Sequence, residues 1–391
     1  MDTTISFFPV DNGDMALIRL NDPVQTAVLI DINIRQCADD PNDVARDVAA
    51  DLRERLPIDA LGRPYVDAFL LSHPDKDHCT GLEKHFYLGP LADYSDDDKP
   101  QHEKRIVIRE MWSSPIVFRR ASRILTLCSD AKAFRKEAKR RVACFRAGTV
   151  SEGDRILIMG EDKDGKTDDL GPILCKPGQS ITTINGIANQ HFSAHMLGPS
   201  LVCEDDEEVD RRAKNHSSVI LNIDLASSPW GLDQNSCRFL TAGDAEVAIW
   251  ERLWEKHQHT PEVLQYDVLE TPHHCSWHVF SGDSWSELGE KAKASPAARS
   301  ALSQARFGAK IISSSKPIKA DDSDPPCIRA KREYQDILRP QQGTFLCTGE
   351  TPQTWAPAPI DLEVTRSGVR VKATKRSGTA AIAAAAAPRA G

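Results

Sequence analysis

The run Leu70-Leu71-Ser72-His73-Pro74-Asp75-Lys76-Asp77-His78-Cys79-Thr80-Gly81-Leu82 places four metal-ligand residue types, His73, Asp75, Asp77 and His78, within six positions. An apolar stretch precedes them and Thr80-Gly81 follows, so they sit where a buried strand gives way to a loop. Such a loop can fold His73 and Asp75 toward one point while Asp77 and His78 face a second. Imidazole and carboxylate together suit zinc, manganese or iron, and a high share of carboxylates favours harder ions such as manganese. Packing four such side chains at a strand end without a cation would be costly. A polar turn accounts for a single His-Asp pair but not for four ligand types bounded in this way. The spacing therefore predicts a metal site.

Elements that could position this site are readable around it. Residues 4–10 read as a strand, Asp11-Asn12-Gly13-Asp14 as a turn and Met15-Ala16-Leu17-Ile18 as the return strand. Ala27-Val28-Leu29-Ile30-Asp31-Ile32 implies a second β pair. After Asp40-Pro41-Asn42, the residues Val44, Val48, Leu52 and Leu56 recur every four positions until Pro57, which predicts an amphipathic helix. Residues 66–72 are almost continuously apolar, as in a strand covered on both faces. Beyond Leu82 the pattern loosens, and residues 83–150 read as an insertion. Strands return at 155–159, 218–223 and 238–241, the last two pairing across Pro229 and Gly231. A helix with Val247, Trp250, Leu253 and Trp254 on one face follows. Strands at 263–269 and 309–313 come next, then a hairpin at 360–371 turning at Ser367-Gly368. Strands and helices alternate without a fixed period, which predicts a layered α/β protein. One domain over residues 1–375 is expected, with an Ala-rich tail at 376–391 too poor in large apolar side chains to order itself.

His-x-Asp-x-Asp-His followed by Gly resembles the metallo-β-lactamase signature H-x-H-x-D-H, with Asp75 where the second His usually stands. That substitution is similar to one branch, the hydrolase domain of the ComEC DNA-uptake proteins and their free-standing relatives. Val10-Asp11-Asn12-Gly13-Asp14 is similar to the branch's opening D-V-G-Q-G-D turn, and Leu29-Ile30-Asp31 to its I-D-x-G strand end. Asn215-His216-Ser217-Ser218-Val219 resembles N-x-x-S-V-V, and Leu240-Thr241-Ala242-Gly243-Asp244 resembles L-L-T-G-D. Thr271-Pro272-His273-His274-Cys275-Ser276 resembles H-H-G-S. The matches fall in order over roughly residues 4–345, and their joint specificity exceeds that of any one.

This resemblance implies a metallo-β-lactamase-like four-layer αβ/βα sandwich with metals at the sheet edges. It implies a metal-dependent hydrolase, foremost a two-metal phosphodiesterase or nuclease using a metal-bound hydroxide. By position, His73 and Asp75 would hold one of two divalent ions, zinc or manganese. Asp77 and His78 would hold the other, with Asp244 between them and His273 completing the set. Asp77 would orient the hydroxide, and His274 or Asn215 would steady the developing oxyanion. The chain departs from the branch in two places, and the third-motif His of typical β-lactamases is unassigned. Cys275 replaces the usual Gly and could be a bystander, a soft ligand or a redox liability, with bystander the default. The branch's late N-x-Y-x-H-P element has no clear counterpart; Asp321-Asp322-Ser323-Asp324-Pro325-Pro326 occupies about its place without the His, leaving room for different substrate recognition. The third-motif His stays open among His191, His195 and His216.

Composition narrows the partners. At 391 residues, 40% hydrophobic and 27% charged, the chain has the make-up of a soluble globular protein. No run approaches the ~20 apolar residues of a membrane span, and the N-terminus lacks a basic-then-apolar leader. A cytoplasmic protein without a membrane partner is expected. Ten scattered cysteines with no C-x-x-C pair argue against a zinc ribbon or a disulfide framework. A net charge of −8 argues against a protein that coats nucleic acid over its whole surface. It leaves room for a local groove, for which Arg119, Arg120, Arg123, Lys132, Arg135, Lys136, Lys139, Arg140, Arg141 and Arg146 are candidates. Sparse aromatics there (Phe118, Phe134 and Phe145) favour a solvated helix face instead, paired with the acidic residues 93–98. DNA or another phosphodiester is the expected substrate, with a protein from the same pathway as a possible partner. A non-enzymatic metal-binding sensor, or a thioester, lactone or amide hydrolase, stays open because the fold alone does not choose.

Overall fold

Alternate residues of the central strands enter different apolar clusters, and that alternation builds the layers. Leu17, Leu29 and Phe69 belong to one cluster, whereas their neighbours Ile18, Val28 and Leu70 belong to another. The computed structural model describes residues 2–36, 45–115, 127–162, 165–199 and 217–372. Its first sheet runs Gly368–Val371, Ile360–Thr365, Thr3–Phe7, Ala16–Arg19, Ala27–Ile30, Tyr65–Leu71, Ile106–Ser113, Arg155–Met159 and Leu174–Cys175, with Phe86–Tyr87 added beside Ile106–Ser113. The second runs Ser180–Ile181, Phe192–Gly198, Ile220–Leu225, Cys237–Thr241, Tyr266–Glu270, Ala305–Ser313 and Thr344–Cys347. Each sheet is antiparallel on one side and parallel on the other. The change falls at Ala27–Ile30 in the first and at Cys237–Thr241 in the second.

The inner faces of the two sheets meet through Ile5, Ile18, Val28 and Leu70 on one side and Leu221, Ile223, Phe239 and Val268 on the other. Helices Val48–Arg53 and Ser129–Ala147 cover the outer face of the first sheet with Leu52, Phe134, Ala138 and Val142. Helices Val247–His257 and Ile328–Leu338 cover the second with Trp250, Leu253, Tyr334 and Ile337. The result is a mixed α/β sandwich layered helix, sheet, sheet, helix. The closing hairpin returns to the first sheet, where Ile360 pairs with Phe7. Among the described residues no helix is long and apolar enough to cross a membrane.

Most expected elements form near their expected bounds. Tyr65–Leu71 is a strand with every residue buried. The first helix starts at Val48 behind Asp47, whose carboxylate accepts from Ala50 N at 2.9 Å; Val44 and the tail at 376–391 lie outside the described residues. The segment read as an insertion contributes a strand to the first sheet. Ile106–Ser113 lies parallel between Tyr65–Leu71 and Arg155–Met159. Its charges hid it. Glu110 accepts from Trp112 Nε1 and Asn185 N, both at 2.9 Å, and Arg109 pairs with Asp67 at 3.0 Å.

The basic helix uses its arginines internally. Arg141 is 1% exposed and bonds Glu137 at 2.8 Å and the carbonyls of Ile108 and Arg155 at 3.0 Å. Arg140 pairs with Glu137 and Asp154, and Arg146 with Asp169. Within 93–98, Asp96 is bound by Arg105 and Lys99, and Asp97 by Arg63, not by this helix. Arg119, Arg120, Arg123 and Phe118 lie outside the described residues.

Candidate metal centre

Four strand ends deliver the polar residues to one place. Asp31 terminates Ala27–Ile30 with a left-handed backbone (φ 51°) and accepts from Ser72 N at 2.7 Å. That bond fixes the exit of Tyr65–Leu71, from which His73 and the short helix Lys76–Cys79 follow. Asp244 leaves Cys237–Thr241 through Gly243, at φ 49°, where a Cβ would come within 2.7 Å of Ser72 Oγ. His273, His274 and Cys275 follow Tyr266–Glu270 with φ of 50°, 51° and 68°. Three successive non-glycine residues in this region mark backbone held against its preference, as at functional sites. All four strands end their parallel pairings here, the edge where layered α/β proteins bind ligands. From the loop after Thr3–Phe7 comes Asp14; a Cβ on the preceding Gly13 would sit 2.7 Å from Asp77 O.

Asp14, His78, Asp244 and His274 are all buried and present ligand atoms within 4.8 Å of one another, so this group can hold a metal ion. Asp244 faces imidazoles on both sides. Its Oδ1 lies 3.0 Å from His78 Nε2 and 3.6 Å from His274 Nε2. Its Oδ2 lies 3.3 Å from His73 Nε2 and 3.8 Å from His273 Nε2. Asp77 Oδ2 is 3.4 Å from His274 Nε2 at the exposed side of the group. The Nε2 atoms of His73, His78 and His274, and Asp244 Oδ1, are buried without hydrogen-bond geometry to any partner. A cation satisfies such donor sets, and imidazole with carboxylate is the chemistry of zinc and manganese sites. Behind the rings stand Asp31 and the group's own Asp14. Asp31 Oδ2 lies 2.8 Å from His78 Nδ1 and Asp14 Oδ1 lies 3.1 Å from His274 Nδ1. Carboxylates so placed fix the tautomer and aim of a ligating imidazole.

The electrostatics suit a cation. Burial lowers the pKa of His78, but Asp244 and Asp31 outweigh it and hold the imidazole well above its ordinary 6.5. Against the same burial, Asp14 and Asp244 push His274 up to about 10. Burial raises Asp244, yet His78 and His73 hold it well below the usual carboxylate range. Asp77 is held low against burial by His274 and His78, whereas burial dominates at Asp14 and raises it. A pocket that draws protons onto its imidazoles through buried carboxylates attracts metal cations by the same field.

Among the residues expected from the sequence, His73, Asp77, His78 and Asp244 come together. His274 belongs to the buried group, and His273 lies at its edge with Nε2 3.8 Å from Asp244 Oδ2. His273 is 18% exposed and turns Nδ1 to Glu246 Oε1 at 3.6 Å. Asp75 starts the Lys76–Cys79 helix outside the four-residue group, its carbonyl accepting from His78 N at 3.2 Å. Asn215 and His216 lie outside the described residues. His191 bonds Pro229 O at 3.1 Å and His195 lies 3.3 Å from Ser180 Oγ, so both are engaged elsewhere. Cys275 is a bystander: its side chain is buried in the outer cluster of the second sheet, and burial pushes its thiol well up. Its φ of 68° explains why glycine suits that position. Asp14 and Asp31 were not expected at the site. Their signal was an acid at the end of a turn or strand that resembles the branch. No family model matches this chain, and no curated protein does.

Proposed function

We propose that the chain is a metal-dependent hydrolase of the metallo-β-lactamase superfamily, close to the ComEC hydrolase branch, acting on phosphodiesters with two divalent cations. The observation that carries this reading is Asp244, whose two carboxylate oxygens each face a separate pair of imidazoles. One cation would be held by Asp244 Oδ1 with His78 and His274, beside Asp77. The other would be held by Asp244 Oδ2 with His73 and His273. Zinc or manganese suits these donors. Bound there, the cations would supply Lewis acidity that activates water and withdraws charge from a phosphoryl oxygen.

The protein's own groups prepare the site. Asp31 and Asp14 accept from Nδ1–H of His78 and His274, which keeps the proton at Nδ1 and leaves each Nε2 lone pair for a cation. Asp77, on the exposed side, is placed to orient an incoming water. The two sheets shield the rest from solvent, so charge inside acts through little screening. Elemental analysis of the wild type and Asp244→Ala, with cleavage of bis-p-nitrophenyl phosphate and of single- and double-stranded DNA in Mn²⁺ or Zn²⁺, tests the reading. The wild type should carry about two metals and cleave a phosphodiester, and the variant should do neither. Metal bound without any cleavage would overturn the phosphodiesterase reading in favour of a metal-binding partner protein. A metal-free wild type would overturn both.

A further inference from the structure

The Asp11-Asn12 loop and the segment 316–326 enclose a cavity of about 420 Å³. One wall is the loop that delivers Asp14 to the metal group. The other follows the strand Ala305–Ser313 and fills the place of the sequence element that had no counterpart. Asn12 ties the walls together, its Nδ2 donating to Pro325 O at 2.9 Å and its Oδ1 accepting from Lys316 N at 3.1 Å. Asp324 accepts from Trp277 N at 3.0 Å, which joins the same segment to the turn carrying His273 and His274. The cavity is therefore walled by segments tied to those that carry the metal centre.

Its lining carries both signs of charge, with Lys319 acting on Asp321. Asp11 is bound by Arg35 at 2.6 Å, and Asp321 accepts from Ser323 N at 3.0 Å. Lys316 and Lys319 line the cavity, both exposed, and neither ammonium is in an ion pair closer than 4 Å among the described residues. The arginines Arg140, Arg141 and Arg146 of the basic helix are already paired. Among the described residues, Lys316 and Lys319 therefore bring positive charge without a close ion pair to this cavity. The volume falls in the range of small-ligand sites, about 300–1,000 Å³, and suits one nucleotide instead of a duplex.

We propose that Lys316 and Lys319 form an anion subsite for a second phosphoryl group, carried by the substrate next to the phosphodiester that is cut. The proposal rests on the phosphodiesterase reading for the bond that is broken, but not for the binding. It makes the preferred substrates small phosphodiesters or strand ends with a terminal phosphate, in preference to duplex interiors.

The test compares the thymidine dinucleotides TpT and 5′-phosphorylated pTpT on the metal-loaded wild type, K316E/K319E and K316R/K319R. The wild type should show a KM about tenfold lower for pTpT, the scale of one charge-assisted contact. K316E/K319E should erase the difference with kcat on TpT and metal content unchanged, and K316R/K319R should keep it. Equal KM values for the two substrates in the wild type would overturn the subsite. If neither dinucleotide is cut, the phosphodiesterase reading fails, and adenosine 5′-monophosphate binding to the chelator-treated wild type decides the subsite separately. Binding weakened about tenfold by K316E/K319E sustains it, and binding that is absent or indifferent to the substitution overturns it.

Discussion

His78 and His274 each face a carboxylate at Nδ1, so altering that carboxylate probes how the imidazole is positioned. Asp14→Asn keeps the volume and removes the charge facing His274 Nδ1. Metal affinity should fall by roughly 10–100-fold, measured by competition with a chromophoric chelator, because the imidazole loses its orientation and basicity. Unchanged affinity would mean that Asp14 does not position His274. The adjacent histidines also separate. His274 is buried in the four-residue group while His273 is part-exposed, so His274→Ala should lower metal content in elemental analysis more than His273→Ala. The reverse order would make His273 the stronger ligand of the two. These residues were legible as ligand types because His and Asp crowd a strand end. Which nitrogen of which histidine faces Asp244 was not legible, since three left-handed residues at 273–275 set that aim.

At the scale of elements, the basic helix is a structural brace. Glu137 joins Arg140 and Arg141, and Arg141 reaches the carbonyls of two strands. Removing one partner of a buried pair strands the other charge, so Glu137→Gln should cost about 3–5 kcal/mol in denaturant unfolding. The sign of its pH dependence follows from the depressed pKa. Burial raises Glu137, but Arg140 and Arg141 hold it below its ordinary 4.5. Its contribution is therefore complete above that value and is lost as the pH falls through the lower folded one. The difference between wild type and Glu137→Gln should accordingly shrink only in acid, and a difference that grows there would refute the assignment. Reversing Arg140 and Arg141 would break these internal pairs, so its effect on DNA binding would be confounded with lost stability. Lys132, Lys136 and Lys139 are exposed, and their combined reversal should leave the salt dependence of DNA binding unchanged. A smaller slope would restore the groove.

Over the whole molecule, the metal group draws residues from both halves of the chain: Asp14, Asp31 and His78 from the first sheet, Asp244 and His274 from the second. A cation bound there clamps the halves together and stabilises only the folded state. At free metal a hundredfold above Kd, the gain is about 2.7 kcal/mol for one site, so chelation should lower Tm and readdition should restore it. A Tm indifferent to chelator would place any bound metal outside this group. By itself the sequence determined the ligand types, the buried strand before them and most hairpins, because hydrophobic period and turn residues are local properties. It did not determine the strand Ile106–Ser113, whose charged Arg109 and Glu110 break the pattern until Asp67, Trp112 and Asn185 satisfy them. Nor could it reveal that Asp14 lies behind His274, 260 positions away. Such contacts depend on how two sheets pack face to face, and only the tertiary structure decides that.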